Sequence, residues 1–180
     1  MFAIEEIRAG WFCFSLIHAE RTFHAACTAV WAEDMPSFLV NAVCQLLIGE
    51  CERRVCCLNA ESEAYRMTLS KKPLTHSNAF AGVTAHPPGP PDQRKMELRI
   101  LVERLLDEPF DLLNISKTAL SHARSGELCF DSAADASVFA RDILREFSLL
   151  DHEIYEREWR HPYPDAEVEQ LKKLLLSGKA

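Results

Sequence analysis

The sequence predicts an α+β domain with a mainly antiparallel sheet of about six strands, one central buried helix and a C-terminal helical pair. Three observations carry this. Period-two alternation dominates the first third and recurs near residue 100. A capped apolar helix interrupts it near residue 36. From residue 131 onward the apolar period is helical. At 180 residues the chain fits one domain, 1–180, and buries enough surface to fold without a staple.

The elements follow in order. In Trp11 to Ile17 both alternating sets are largely apolar, as in a strand covered on both faces. From Thr22 to Trp31, Phe23, Ala25, Cys27, Ala29 and Trp31 make one face, and Ala19-Glu20-Arg21 is the hairpin connection before it. Asp34 is placed as an N-cap, with Pro36 in the first turn. Leu39, Ala42, Val43, Leu46 and Leu47 then form a stripe that Gly49 ends, giving a helix over Pro36 to Ile48. Arg53 to Leu58 and Ala64 to Ser70 read as strands joined by the turn-like Asn59-Ala60-Glu61-Ser62.

A long irregular stretch, 72–94, contains four of the nine prolines in HPPGPPD and reads as a stiff exposed loop. Met96 to Glu103 alternates as a strand. Phe110 to Ser116 and Leu128-Cys129-Phe130 are short strand candidates. Asp131, Ser132 and Asp135 offer cap chemistry. Phe139, Ile143, Phe147, Leu150 and Ile154 then describe one face of a long helix. Pro162 and Pro164 end it. A last helix follows, with Val168, Leu171, Leu174 and Leu175 inward and Gly178 closing it.

Composition narrows the function classes. A hydrophobic fraction of 48% and a charged fraction of 26% are those of an ordinary globule. No apolar run approaches the roughly 20 residues that span a bilayer, and the start, MFAIEEIRAG, lacks a basic n-region. A cytoplasmic protein without membrane attachment is expected. The seven cysteines are an odd set, several lie inside apolar runs, and free buried thiols are expected in place of a disulfide framework. Basic residues are scattered as Arg53-Arg54, Lys71-Lys72, Arg94-Lys95 and Lys172-Lys173, without the aromatic-interleaved stripe of a nucleic-acid binder.

No nucleophile elbow, P-loop, dinucleotide fingerprint or zinc-protease motif occurs, so no catalytic residue and no cofactor is assigned. Cys51, Cys56 and Cys57, with His18 and His24 on neighbouring strands, raise a metal or thiol site. Adjacent cysteines on a strand point to opposite faces, which argues against a shared ion. No metal ligand is assigned. A small Cys/His-dependent enzyme or metal-binding protein stays as the alternative.

Charge is the sharper signal. Residues 127–170 hold twelve acids against four bases, an excess of eight, while the whole chain carries −7. Such a segment repels nucleic acid and anionic lipid and attracts basic partners. Aromatics lie among these acids. The candidate partner-contact residues are therefore Asp151, Glu153, Tyr155, Glu156, Glu158, Trp159 and Tyr163. The Pro-rich loop at Pro87 to Pro91 is a second candidate surface. A further alternative is a self-associating subunit, a homodimer that covers the aromatics.

Several stretches carry a resemblance. They are EDMPSFLVNAVCQLLIGE, ESEAYRMTLSK, ELCFDSAADASVFARDILREF and YEREWRHPYPDAEVEQL, the last with a Tyr-x-x-x-Trp-x-x-Pro-aromatic-Pro close. Their order resembles small bacterial immunity-type proteins of polymorphic or contact-dependent toxin systems, over most of the chain outside Lys72 to Lys95. The resemblance is one of pattern, and no functional residue carries over from it. It implies a cytosolic, non-enzymatic protein that binds and blocks a cognate toxin domain. Many such toxins are nucleases with basic clefts, which an acidic surface complements.

Overall fold

A computed structural model describes residues 1–29, 34–59, 63–72, 96–105 and 127–177. Of the expected loop 72–94, residues 73–94 lie outside the described residues, as do the Phe110 to Ser116 strand, Trp31, Gly178 and the turn at 60–62, while Lys72 ends a strand.

The fold is α+β, but with two antiparallel sheets in place of the expected single sheet. The first has the order β1-β2-β3, from Phe2–Arg8, Trp11–His18 and Arg21–Thr28. The second has the order β4-β5-β6-β7, from Arg53–Asn59, Ala64–Lys72, Glu97–Arg104 and Glu127–Asp135. Among the described residues four helices accompany them: α1, Met35–Ile48; α2, Ala136–Ser148; α3, His152–Trp159; and α4, Asp165–Leu176. Strand β3 lies alongside both β4 and β7. Helices α1 and α2 each pack on α4 as well as on the sheets.

Period-two burial explains the strands. Phe12, Phe14 and Leu16 of β2, with Phe23, Ala25 and Cys27 of β3, are buried on one face. Met67, Leu69, Leu98, Ile100, Val102 and Phe130 do the same for the second sheet. Both sets join the helical residues Leu39, Val43, Phe139, Ile143 and Phe147 in one core.

Strand β1 was hidden in the sequence by a bulge. Phe2 and Ile4 alternate correctly, but the register shifts between Ile4 and Glu6, so Ile7 falls out of phase. The turn after it is two residues, Ala9 and Gly10, both with positive φ (52° and 85°). The next hairpin turns on Ala19 and Glu20, with Arg21 already paired to His18.

Helix α1 matches its sequence signals. Gly49 takes φ 83°, and the Gly49 and Glu50 amides close a Schellman motif on Leu46 and Gln45. Asp34 departs from expectation: its side chain makes no cap bond to the α1 backbone.

The expected long helix is a correction. It breaks after Ser148, and Asp151 caps a new helix by accepting from the Ile154 amide at 2.9 Å. The break resets helical phase. Ile154, expected in the core, is 47% exposed, while Tyr155 and Trp159 are 1% and 0% exposed. Asp131 and Ser132 extend β7, and the α2 cap is Asp135 alone, which accepts from the amides of Ser137 and Val138. The expected C-terminal helical pair is thus three helices.

Candidate functional site

The candidate residues converge on the corner formed by α3 and α4. Arg160 ends α3 in the left-handed region at φ 67°, and Pro164 stands at the N-cap of α4. Pro162 and Pro164 cannot continue a helix, so the chain must turn here.

The three aromatics are inside this corner. Trp159 lies 5.9 Å from the Phe12 ring, and its indole N–H donates to Asp34 Oδ1 at 2.8 Å. Asp34 also accepts from the Ser37 hydroxyl. The residue read as a helix cap therefore fastens the corner to the start of α1. Tyr163 donates its hydroxyl to the Phe147 carbonyl at 2.9 Å and stacks on the His152 ring at 3.7 Å. Burial, and then the charge of Asp165, pushes its phenol up to about 12. Tyr155 packs edge-on to Tyr163 at 5.3 Å, and its buried hydroxyl has no hydrogen-bond partner among the described residues. Burial and the nearby Asp34 carboxylate raise it. Tyr155, Trp159 and Tyr163 therefore cannot serve as free-surface contacts. Their work is to hold the corner.

The carboxylates divide. Asp151 caps α3. Glu156 accepts from the Tyr163 amide at 3.2 Å. Glu158 accepts from the Ala9 amide at 3.0 Å and from Arg157 Nε, also at 3.0 Å. The Ala9 bond, then the Arg157 bond, hold the Glu158 carboxyl below its ordinary range. Its backbone carbonyl accepts from Gly10 at 2.6 Å. Upstream, Asp142 and Glu146 accept from the amides of Phe2 and Ile4 at 3.4 and 3.1 Å. Asp131 and Glu127 pair with Arg99 and Arg104 across β6 and β7. Much of the acidic excess is thus internal structure. Among the candidate contact carboxylates Glu153 is the exception: it is exposed, in the first turn of α3, with no such task among the described residues.

What the α2–α3 connection and the first turn of α3 show to solvent is partly apolar. Leu149 is 76% exposed and Ile154 is 47% exposed, within six residues that also contain Asp151 and Glu153. The sequence reading missed both, because Ile154 fitted the period of a helix assumed to be continuous. The signal that could have found them is Asp151, a strong cap residue in mid-helix.

Thiol chemistry finds little support. Burial raises Cys27, with contributions from Cys13 and then Cys57, and pushes Cys44 up to about 11. Raised thiols are poor nucleophiles. Cys56 is buried while Cys57 is half-buried, as expected for opposite faces of β4. His24 Nδ1 lies 2.6 Å from the Glu5 carboxylate on the face away from the core. Among the described residues no three His, Cys, Asp or Glu side chains gather as a metal site. No helix among them is long and apolar enough to cross a membrane.

Comparison with protein-family models, with characterised proteins and with solved structures gives no match for this chain.

Proposed function

We propose that this chain is a non-catalytic protein-binding module of immunity type, which blocks a basic toxin domain by docking it on the connection between α2 and α3. The observation that carries this reading is the pairing of exposed Leu149 and Ile154 with the carboxylates of Asp151 and Glu153. An apolar centre with a charged rim is the composition of protein–protein contact surfaces. The rim is acidic, which favours a basic partner and steers its approach.

The test is calorimetric titration with the protein encoded beside this one. The double variant Glu153→Lys, Ile154→Ala keeps the fold, because neither side chain is buried. Affinity should fall by about tenfold or more, the range expected of truncating contact-centre residues. The wild-type on-rate should fall as salt rises. Tight binding that is insensitive to both the variant and salt would overturn the reading.

A further inference from the structure

We infer that the acidic face of α2, continued by Glu158, closes the open edge of β1 and thereby keeps a second copy of the chain from pairing with it. Among the described residues strand β1 is an outer strand of its sheet. Its backbone groups alternate between facing β2 and facing outward. Met1 and Ile17 exchange both bonds, N–H to C=O in each direction, at 2.7 and 2.9 Å. The Phe2 and Ile4 amides therefore point away from β2. An edge of this kind is a template for strand pairing between molecules.

Here the outward amides are already taken. Phe2 N–H donates to Asp142 and Ile4 N–H donates to Glu146. The spacing explains why a helix can do this. Two residues of strand advance about 6.6 Å, and four residues of helix advance about 6 Å. Acceptors at i and i+4 on a helix thus match every second amide of a strand beside it. Phe139, Ile143 and Phe147 are buried and hold α2 in place, independently of the two carboxylates. Arg145 braces both, at 3.5 Å from Asp142 and 2.9 Å from Glu146. The two side chains are only 15% and 16% exposed, so they are acceptors withdrawn from water and not a solvated acidic face. At the far end of the strand, Glu158 takes the Ala9 amide through its side chain and the Gly10 amide through its carbonyl.

A second copy is the occupant that the edge would accept. Two β1 strands can run antiparallel about a twofold axis, each offering the other the same donors and acceptors. This surface is separate from Leu149 and Ile154, so its test and that of the docking surface fail independently.

The experiment compares three forms by light scattering after size exclusion, with native-state hydrogen exchange on the wild type. Asp142→Ala, Glu146→Ala removes both acceptors, and its mass should be double that of the wild type. Asp142→Asn, Glu146→Gln keeps an acceptor oxygen at each site and should retain the wild-type mass. In the wild type, the Phe2 and Ile4 amides should be protected like those of β2. An alanine variant that stays folded at wild-type mass overturns the inference. Doubling in both variants also overturns it, since charge and not hydrogen bonding would then be the guard. Unprotected Phe2 and Ile4 amides in the wild type overturn it even where the alanine variant does not fold.

Discussion

Replacing Trp159 with Phe separates the structural role of the corner from a role in binding. Trp159 is fully buried, touches Phe12, and donates its indole N–H to Asp34. Two costs follow. The lost bond ends on a carboxylate, and such bonds contribute about 1.5–3 kcal/mol net. The smaller ring removes three heavy atoms from the core, which costs at least about 1 kcal/mol. The sum is about 3 kcal/mol, a large part of a typical stability of about 5–15 kcal/mol, but not all of it. Urea unfolding followed by circular dichroism measures this. With a slope of about 2 kcal/mol per molar, the midpoint should fall by about 1.5 M. A double-mutant cycle with Asp34→Ala isolates the bond and should give coupling of about 1–2 kcal/mol. Where the variant is still folded, its affinity for a protein partner should stay within about twofold of the wild type, since a buried ring that only holds the corner adds no contact of its own. A loss below about 1 kcal/mol with no coupling, or a large loss of affinity in the folded variant, would refute the structural assignment.

The two tyrosines should behave oppositely. Tyr163→Phe deletes a hydroxyl bonded to the Phe147 carbonyl and should cost about 1–2 kcal/mol by urea unfolding, whereas Tyr155→Phe removes a buried hydroxyl with no partner among the described residues and should be neutral or stabilising. Asp151→Ala should cost about 1 kcal/mol through the lost α3 cap. The Tyr163 phenol is raised in the folded state, so its contribution is complete below the ordinary tyrosine range and is lost as pH rises toward about 12. Alkaline unfolding should therefore be less steep in Tyr163→Phe. With a disulfide reagent near neutral pH, exposed Cys129 should label first, while Cys27 and Cys44 should label only on unfolding.

What the sequence made legible depended on whether the deciding force is local. Helix α1 was readable because Pro36, an apolar stripe and Gly49 act within their own turn. Strand β1 was not, because one bulge residue breaks period two and only pairing with β2 shows where the phase resumes. The α2–α3 break lies between these cases. Its apolar spacing suits a continuous helix, and a single cap residue outweighs it, so the same heptad-like run placed Ile154 inward on paper and outward in the fold. The charge is the most instructive part. Residues 127–170 carry an acidic excess of eight, which on the count alone calls for a basic partner. A count treats each carboxylate as facing water. It has no way to register that Asp142, Glu146, Glu156 and Glu158 accept backbone amides from residues that are 7 to 149 positions away. Those amides belong to an edge strand, a hairpin turn and a helix corner, where the backbone leaves donors that no ladder satisfies. An acidic run near the end of this chain is thus in large part the complement of its own unpaired backbone. Of the candidate contact carboxylates only Glu153, beside exposed Leu149 and Ile154, is left over among the described residues, fewer than the charge count suggests. It is also a narrower target, because no contact within the described fold accounts for it.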